Sequence, residues 1–238
     1  MGIDYTKRAA APRPAQPPPA PPPGAPAQPA AAAGPVSLSK VTLTKAAPSV
    51  SLTKHGGASG TLRVNLNWDA RPPAKGGLFR KNVQLDLDLG CLYEFSDGSK
   101  GVVQALGNSF RASDSSGKVL ISLDGDDRSG AVSAGENLFV DLSELARIKR
   151  ILVFALIYEG AANWADAKGV ATLLPVNGPP VEIQLDETRD GARICAIAML
   201  ENRNGEVVVR REVSYLDGAQ RALDEAYHWG MNWTRGRK

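Results

Sequence analysis

Apolar and polar residues alternate along most of the chain after residue 60. Runs with this period-two pattern are separated in nearly every case by glycine, proline or asparagine turn signals, and they predict β-strands. The predicted strands are residues 61–68, 82–95, 119–123, 137–142, 148–158, 170–176, 181–185, 193–200 and 207–215. Only residues 217–229 have a helical pattern. The pattern therefore predicts an all-β protein, an antiparallel β-sandwich with a C-terminal helix.

Two local patterns refine this prediction. Residues 202–205 read Asn-Arg-Asn-Gly between two long apolar runs, which predicts a tight hairpin because glycine tolerates positive φ. In residues 151–158 the odd-numbered and the even-numbered positions are both apolar. That pattern predicts a central strand that is buried on both faces.

The region before residue 60 divides into an arm and a lead-in. Residues 9–35 include eleven prolines and eleven alanines, a composition that cannot bury a core and favours a semi-rigid, disordered arm. Residues 36–40, 41–45 and 50–54 then repeat a Val-Ser/Thr-Leu-Ser/Thr-Lys pattern, which predicts paired or alternative edge strands, with a sticky linker as the other interpretation. We expect a disordered arm over 1–35 and one sandwich domain over 36–234, with 35–60 as a strand-like lead-in.

The charge distribution argues against nucleic-acid binding. The whole chain has a net charge of +3, but 19 of its 28 basic residues and 24 of its 25 acidic residues lie within 59–234, which leaves that part at −5. Aromatic and basic residues are not interleaved there, so the footprint of a nucleic-acid binder is missing. No apolar run approaches the ~18 residues of a membrane span, and no signal-peptide core is evident. We therefore expect a cytoplasmic protein.

Catalytic and redox motifs are also missing from the sequence. Cys91 and Cys195 lie in apolar runs without a CxxC partner, so they are predicted to be buried thiols. The two histidines, His55 and His228, belong to no recognisable triad or metal motif, and no phosphate-binding loop is present. An enzyme is disfavoured. Metal-assisted hydrolysis by a carboxylate pair would need an open coordination position that nothing in the sequence indicates.

Two groups of acids suggest cation chemistry instead. Asp86 and Asp88 alternate with leucines, so one strand face is expected to hold two carboxylates about 7 Å apart. After the strand 119–123 comes Asp-Gly-Asp-Asp-Arg-Ser-Gly at 124–130, and Glu136 follows. Calcium prefers oxygen ligands of this kind, and the loop is not an EF-hand. Ordinary solvated turns are the alternative interpretation of the same residues.

Taken in order, these motifs resemble the TerD family of tellurium-resistance and chemical-stress proteins. The resemblance spans about residues 36–215 and rests on short motifs in the family's order: Val-Ser-Leu-Thr-Lys at 50–54, Val-Asn-Leu-Asn-Trp-Asp at 64–69, Leu-Asp-Leu-Asp at 85–88, Gly-Asp-Asp-Arg-Ser-Gly at 125–130, Glu136, Val-Asp-Leu-Ser at 140–143, and the strand 151–158 leading to 163–169. It implies a calcium-binding β-sandwich without established enzymatic activity.

The resemblance also implies the ligands. Asp86 and Asp88 match the family's Asp-x-Asp strand, Asp126 and Asp127 its acidic loop, and Glu136 the last acid of a further segment. Two more oxygen donors are expected from Asp124, an extra carboxylate that could instead be a turn residue, and from Asn108, which resembles a family Tyr-Asn turn. Ala134 and Gly135 stand where the family usually has two aspartates. We therefore expect one weakened or missing calcium site.

The resulting hypothesis is a non-enzymatic, calcium-binding stress-response protein of the tellurium-resistance type. Its expected partners are calcium and other proteins, including a membrane-associated stress complex, and not nucleic acid. The alternative is a metal-independent scaffold or adaptor that acts through the Pro-rich arm and the aromatic C-terminal tail, residues 227–233. That tail could dock a partner or a membrane surface, or pack against the sandwich.

Overall fold

The computed structural model describes residues 40–69, 85–124 and 135–233. The chain divides into two units, Met1–Val36 and Ser37–Lys238, and all described residues belong to the second. The predicted arm over 1–35 and the predicted ligands Asp126 and Asp127 lie outside the described residues. No helix in the described part is long and apolar enough to cross a lipid bilayer.

Within these ranges the chain forms two stacked β-sheets. The seven-stranded sheet has the order β1-β11-β10-β3-β8-β7-β6, and the six-stranded sheet has the order β2-β13-β12-β9-β4-β5. The strands are β1 (Val41–Thr42), β2 (Ser49–Ser51), β3 (Thr61–Asn67), β4 (Asp86–Phe95), β5 (Lys100–Val103), β6 (Arg111–Ser113), β7 (Val119–Leu123), β8 (Glu136–Asp141), β9 (Ile148–Glu159), β10 (Gly169–Leu174), β11 (Val181–Leu185), β12 (Ile194–Arg203) and β13 (Glu206–Leu216). The predicted β-sandwich is confirmed.

Two α-helices, α1 (Trp164–Ala167) and α2 (Gln220–Tyr227), and three short 3-10 helices complete the described part. The 3-10 helices are Thr53–His55, Leu106–Asn108 and Leu142–Arg147. The predicted C-terminal helix is confirmed as α2, although it is shorter at both ends than 217–229. His228 at its C-cap adopts a left-handed conformation, which ends the helix before Trp229.

The alternation of apolar and polar residues reflects the burial of one face of each strand between the sheets. In β3 the side chains of Leu62, Val64 and Leu66 have no exposed surface, while Thr61 and Arg63 point outward and are exposed. The central position of β9, between β12 and β4, is also confirmed. Both of its alternations are buried because the sandwich core covers one face and a second apolar cluster covers the other.

Two predictions about strand pairing need correction. The repeats at 41–45 and 50–54 do form edge strands, but they do not pair with each other, because β1 joins β11 and β2 joins β13 in the other sheet. The pairing of β1 with β11 is parallel, so the seven-stranded sheet is mixed rather than purely antiparallel. The predicted hairpin at 202–205 is present, and Asn204 and Gly205 both have the positive φ of a tight two-residue turn.

The aromatic C-terminal tail packs against the outer face of the six-stranded sheet. Trp229 is fully buried in the second apolar cluster, and its indole Nε1 donates to the carbonyl of Tyr93 at 3.1 Å. The guanidinium of Arg150 lies 3.9 Å from the centre of its ring. Of the two alternatives for the tail, the structure shows packing against the sandwich.

Candidate cation site between the two sheets

The buried carboxylate of Glu136 joins the two sheets. Glu136 opens β8, its side chain is 1% exposed, and its Oε2 accepts a hydrogen bond from the backbone N–H of Leu89 on β4 at 2.6 Å. β5 pairs with β4 only between Cys91 and Glu94, and no described strand pairs with that side of β4 before Cys91. A buried backbone donor needs an acceptor, and the carboxylate of Glu136 supplies it.

Asp86 and Asp88 begin the same strand, close in sequence to the Leu89 N–H. Asp86 is 9% exposed and Asp88 is half-buried. The register of β4 against β9 shifts between Asp86 and Leu87, so a break in the regular strand pairing separates Asp86 from Asp88. Glu159 lies opposite Asp86 in this register and adds a further carboxylate that the sequence pattern did not single out.

Asp124 is fixed by a neighbour on β8. Its Oδ1 accepts from the backbone N–H of Asn137 at 3.0 Å, and its Oδ2 accepts from the Asn137 side-chain amide at 2.7 Å. The Asn137 Oδ1 in turn accepts from the amide of Asn65 on β3 at 2.9 Å. Both oxygens of Asp124 therefore hold the end of β7 against β8. A ligand role for Asp124 stays a prediction.

Sequence reasoning did not include Asn65 and Asn137 among the candidate site residues. The two residues face each other in the register of β3 and β8, and Asn137 is 7% exposed. Asparagine is depleted in strands, so two asparagines inside alternating apolar runs were a usable signal for a polar network. Their amides connect Asp124 to the strand that begins with Glu136.

Asn108 is not linked to these acids by any hydrogen bond in the described part of the chain. It is exposed and has a φ of 57°, at the end of a short 3-10 turn, Leu106–Asn108. The turn precedes Phe110, whose carbonyl accepts from Leu123 N at 2.9 Å, so it lies along the chain next to the β6–β7 pair. A ligand role for Asn108 stays a prediction.

Gly135 gives a structural reason for the departure from the family's acidic pattern. Its φ is +65°, and a Cβ built on it would overlap the carbonyl oxygen of Leu66. An aspartate therefore cannot occupy position 135 without a shift of the backbone of β3 or β8. Ala134, the other departure, lies outside the described residues.

The donors at this position are oxygen atoms, the kind that a hard cation such as calcium prefers. Within residues 40–69, 85–124 and 135–233, however, no three Asp, Glu, His or Cys side chains are grouped closely enough to hold a metal ion. The donor chemistry thus fits calcium, although the described side chains do not form a complete carboxylate ligand set. The calcium site stays a prediction.

The fold and the acids along β4, β7 and β8 define an acid-bearing β-sandwich, and comparison with known proteins shows which proteins it resembles. No protein-family model matches the chain. Over 198 residues the chain is 42% identical to the tellurium resistance protein TerA of Alcaligenes sp. This alignment covers 82% of this chain and 57% of that protein. The chain is therefore similar to a tellurium-resistance protein over most of its own length. It spans a little more than half the length of that relative.

Two solved structures resemble the described fold. One is the crystal structure of a protein of unknown function, SAV2460, with 17% identity, a TM-score of 0.49, and coverage of 68% of this chain and 92% of that chain. The other is a homologue of the telluride resistance protein TerD from Streptomyces coelicolor A3(2), with 21% identity, a TM-score of 0.46, and coverage of 67% and 92%.

Proposed function

We propose that the chain is a non-enzymatic, calcium-binding stress protein that contributes to tellurium resistance. The observation that carries the proposal is the 42% identity to a tellurium resistance protein over 198 residues. The oxygen-rich acids near the start of β4 and β8 support its calcium part. A cytoplasmic location and protein partners, without nucleic acid, belong to the same proposal.

Asp86, Asp88 and Glu136 would hold the cation, with the sequence-predicted Asp126 and Asp127 as further ligands. A bound calcium would balance the negative charge of these carboxylates. Glu136 has two separable contributions in this proposal. Its charge would attract the cation, and its Oε2 accepts the Leu89 N–H. Asp124 would contribute by fixing the end of β7, since Asn137 engages both of its oxygens.

The two contributions of Glu136 can be tested with two substitutions. Glu136→Gln keeps an oxygen acceptor for Leu89 N–H but removes the charge, so the variant should fold and lose calcium binding. Glu136→Ala removes both and leaves the buried N–H of Leu89 without its acceptor. That loss should cost about 1–3 kcal/mol of unfolding free energy even without calcium. Asp217→Asn is the matched control, since Asp217 is an exposed acid paired with Arg189.

The measurements are calcium titration calorimetry and melting curves with calcium or with chelator, on metal-stripped full-length protein. Calcium at about 100 times its dissociation constant should stabilise the wild-type fold by about 2.7 kcal/mol. Glu136→Gln should lose this stabilisation, and Asp217→Asn should keep it. If millimolar calcium leaves the wild-type melting curve unchanged, or if Glu136→Gln binds as tightly as wild type, the calcium part of the proposal is wrong.

The adaptor alternative receives no support from the tail. Trp229 is fully buried, and the carboxylate of Asp224 accepts from Trp233 Nε1 at 2.6 Å and from Met231 N at 2.9 Å. A partner that used the buried face of this tail would first have to break these contacts. Binding of a partner through residues 1–35 stays a proposal that deletion of those residues would test.

A further inference from the structure

A cavity of about 600 Å³ lies along β5, away from the acids of the candidate cation site. One wall is β5 itself, another is the Leu106–Asn108 turn, and the third is formed by the C-terminal residues 230–233. None of Asp86, Asp88, Asp124 or Glu136 lines it. Its volume is within the range of small-molecule pockets, which is roughly 300–1,000 Å³.

A pair of amides forms the polar side of the cavity. Gln220 is 7% exposed, and its Nε2 donates to Gln104 Oε1 at 2.6 Å. Gln104 Nε2 donates to the Leu106 carbonyl at 3.0 Å. Both amides are therefore held in one orientation. Among the described residues nothing donates to the amide oxygen of Gln220, which leaves an acceptor available beside the cavity.

An aromatic ring held in place by a carboxylate forms the opposite side. Trp233 lines the cavity, and its Nε1 donates to Asp224 Oδ2 at 2.6 Å. The same carboxylate accepts from Gly230 N at 2.6 Å. Burial opposes ionisation of Asp224, but the hydrogen bonds from Trp233, Met231 and Gly230 outweigh it and lower the pKa of the carboxyl group. The indole is thus positioned before any ligand binds.

The lining of the cavity includes one charged residue. Lys100 is the charged residue of its lining, and the ammonium lies 2.9 Å from the Trp229 carbonyl oxygen and 3.9 Å from Glu94 Oε1. The remaining polar groups of the lining include the Asn232 amide and the Ser109 hydroxyl. A ligand would therefore meet mainly neutral donors and acceptors, together with one ammonium group and one aromatic ring.

We propose that this cavity binds a neutral sugar, a monosaccharide or disaccharide. The face of a sugar ring that carries C–H groups is apolar and can stack on the indole of Trp233. Each sugar hydroxyl both donates and accepts, so it can pair with the amides of Gln104, Gln220 and Asn232. This site goes beyond the proposed function, and its occupancy does not depend on calcium.

The test is titration of the full chain with glucose, galactose, mannose, N-acetylglucosamine and maltose, followed by NMR of the indole N–H and side-chain amide signals. Glucose 6-phosphate serves as the anionic probe. At least one neutral sugar should give saturable shifts of the Trp233 and Gln220 signals, with a dissociation constant of about 1 mM or below. Asn232→Ala should weaken that binding about tenfold, because it removes one amide that pairs with the sugar hydroxyls. The variant should still fold, since Asn232 is exposed.

Gln184→Ala is the matched control, since Gln184 is exposed on β11 of the other sheet. Binding that is unchanged in Gln184→Ala and weakened in Asn232→Ala supports the site. The proposal is overturned if no neutral sugar shifts these signals at about 50 mM, or if Asn232→Ala binds as well as wild type. Tighter binding of glucose 6-phosphate than of any neutral sugar would also overturn it, because the ligand class would then be anionic.

Discussion

At the scale of single residues, Gly135 separates this chain from the acidic pattern of the TerD resemblance. Its backbone has a φ of +65°, and a side chain there would overlap the Leu66 carbonyl. We expect Gly135→Asp to lower the unfolding free energy by about 1–3 kcal/mol, measured by urea denaturation, rather than to restore a calcium ligand.

A second glycine provides the control for this substitution. Gly117 has a similar φ of +82°, but a Cβ there would meet nothing within 4 Å. In Gly117→Asp the only destabilising effect is the strain of a side chain on a left-handed backbone. This variant should therefore lose less unfolding free energy than Gly135→Asp. Equal stability losses in the two variants, or tighter calcium binding by Gly135→Asp, would contradict the steric explanation.

The two cysteines are buried, and their burial makes the thiols unreactive. Cys91 and Cys195 are free and fully buried, and burial raises the pKa of the Cys91 thiol to about 12. Burial also raises the pKa of Cys195. Because the thiolate is the reactive form, both thiols should react with a disulfide reagent at about pH 8 far more slowly in the native protein than in urea. Stopped-flow absorbance checks this, and a fast native phase would argue against it.

At the scale of elements, α2 and the residues after it form a second layer on the six-stranded sheet. Trp229 is the large buried side chain there, beside Phe154, Leu152 and Leu223. Trp229→Ala should cost about 3–5 kcal/mol of unfolding free energy and increase binding of an apolar fluorescent dye. If the variant keeps wild-type stability, the tail is not an integral part of the fold.

The attachment of this layer should depend on pH through Asp224. Its folded pKa is lowered, so the stability it contributes is fully present above its unfolded pKa of about 3.9 and is lost as pH falls through the folded value. Asp224→Asn should therefore be less stable than wild type near neutral pH, and the difference should shrink below about pH 4. Urea denaturation at several pH values measures this difference. A gap that stays constant with pH would contradict the role of the charge.

Glu94 has to be considered in the same experiment. Burial opposes its ionisation, but hydrogen bonds from Lys149 and Arg150 outweigh this effect and lower its pKa. It therefore titrates in the same direction as Asp224. Since Glu94 is present in both proteins, the comparison of wild type with Asp224→Asn isolates the contribution of Asp224.

At the scale of the whole molecule, the buried apolar residues of the described part belong to the unit Ser37–Lys238. This unit should fold without residues 1–36, with an unfolding free energy within about 0.5 kcal/mol of the full chain. Removing residues 1–48 should cost more, because it also deletes β1 and the buried Leu43. Circular dichroism during urea denaturation measures both changes. A non-cooperative transition for residues 37–238 would show that the first unit is needed for folding.

The sequence by itself determined the local structure. Alternation placed β3, β7, β9 and β11 within about two residues of their observed bounds, because the side-chain period of two follows from the backbone of each strand alone. The Asn-Gly hairpin followed from the freedom of glycine at positive φ. The order of short motifs along the chain was also enough to indicate the resemblance to tellurium-resistance proteins.

Only the tertiary structure decided which strands pair and which polar groups meet. The near-identical repeats at 41–45 and 50–54 join different sheets, and nothing in their own residues distinguishes them. Only the folded sheet shows that β5 is short and that no described strand pairs with the N–H of Leu89. Glu136 reaches that N–H across 47 residues of sequence, and Asp124 meets Asn137 across 13. Such contacts depend on how all the strands pack, because a local pattern specifies a face of a strand but not the partner that covers it.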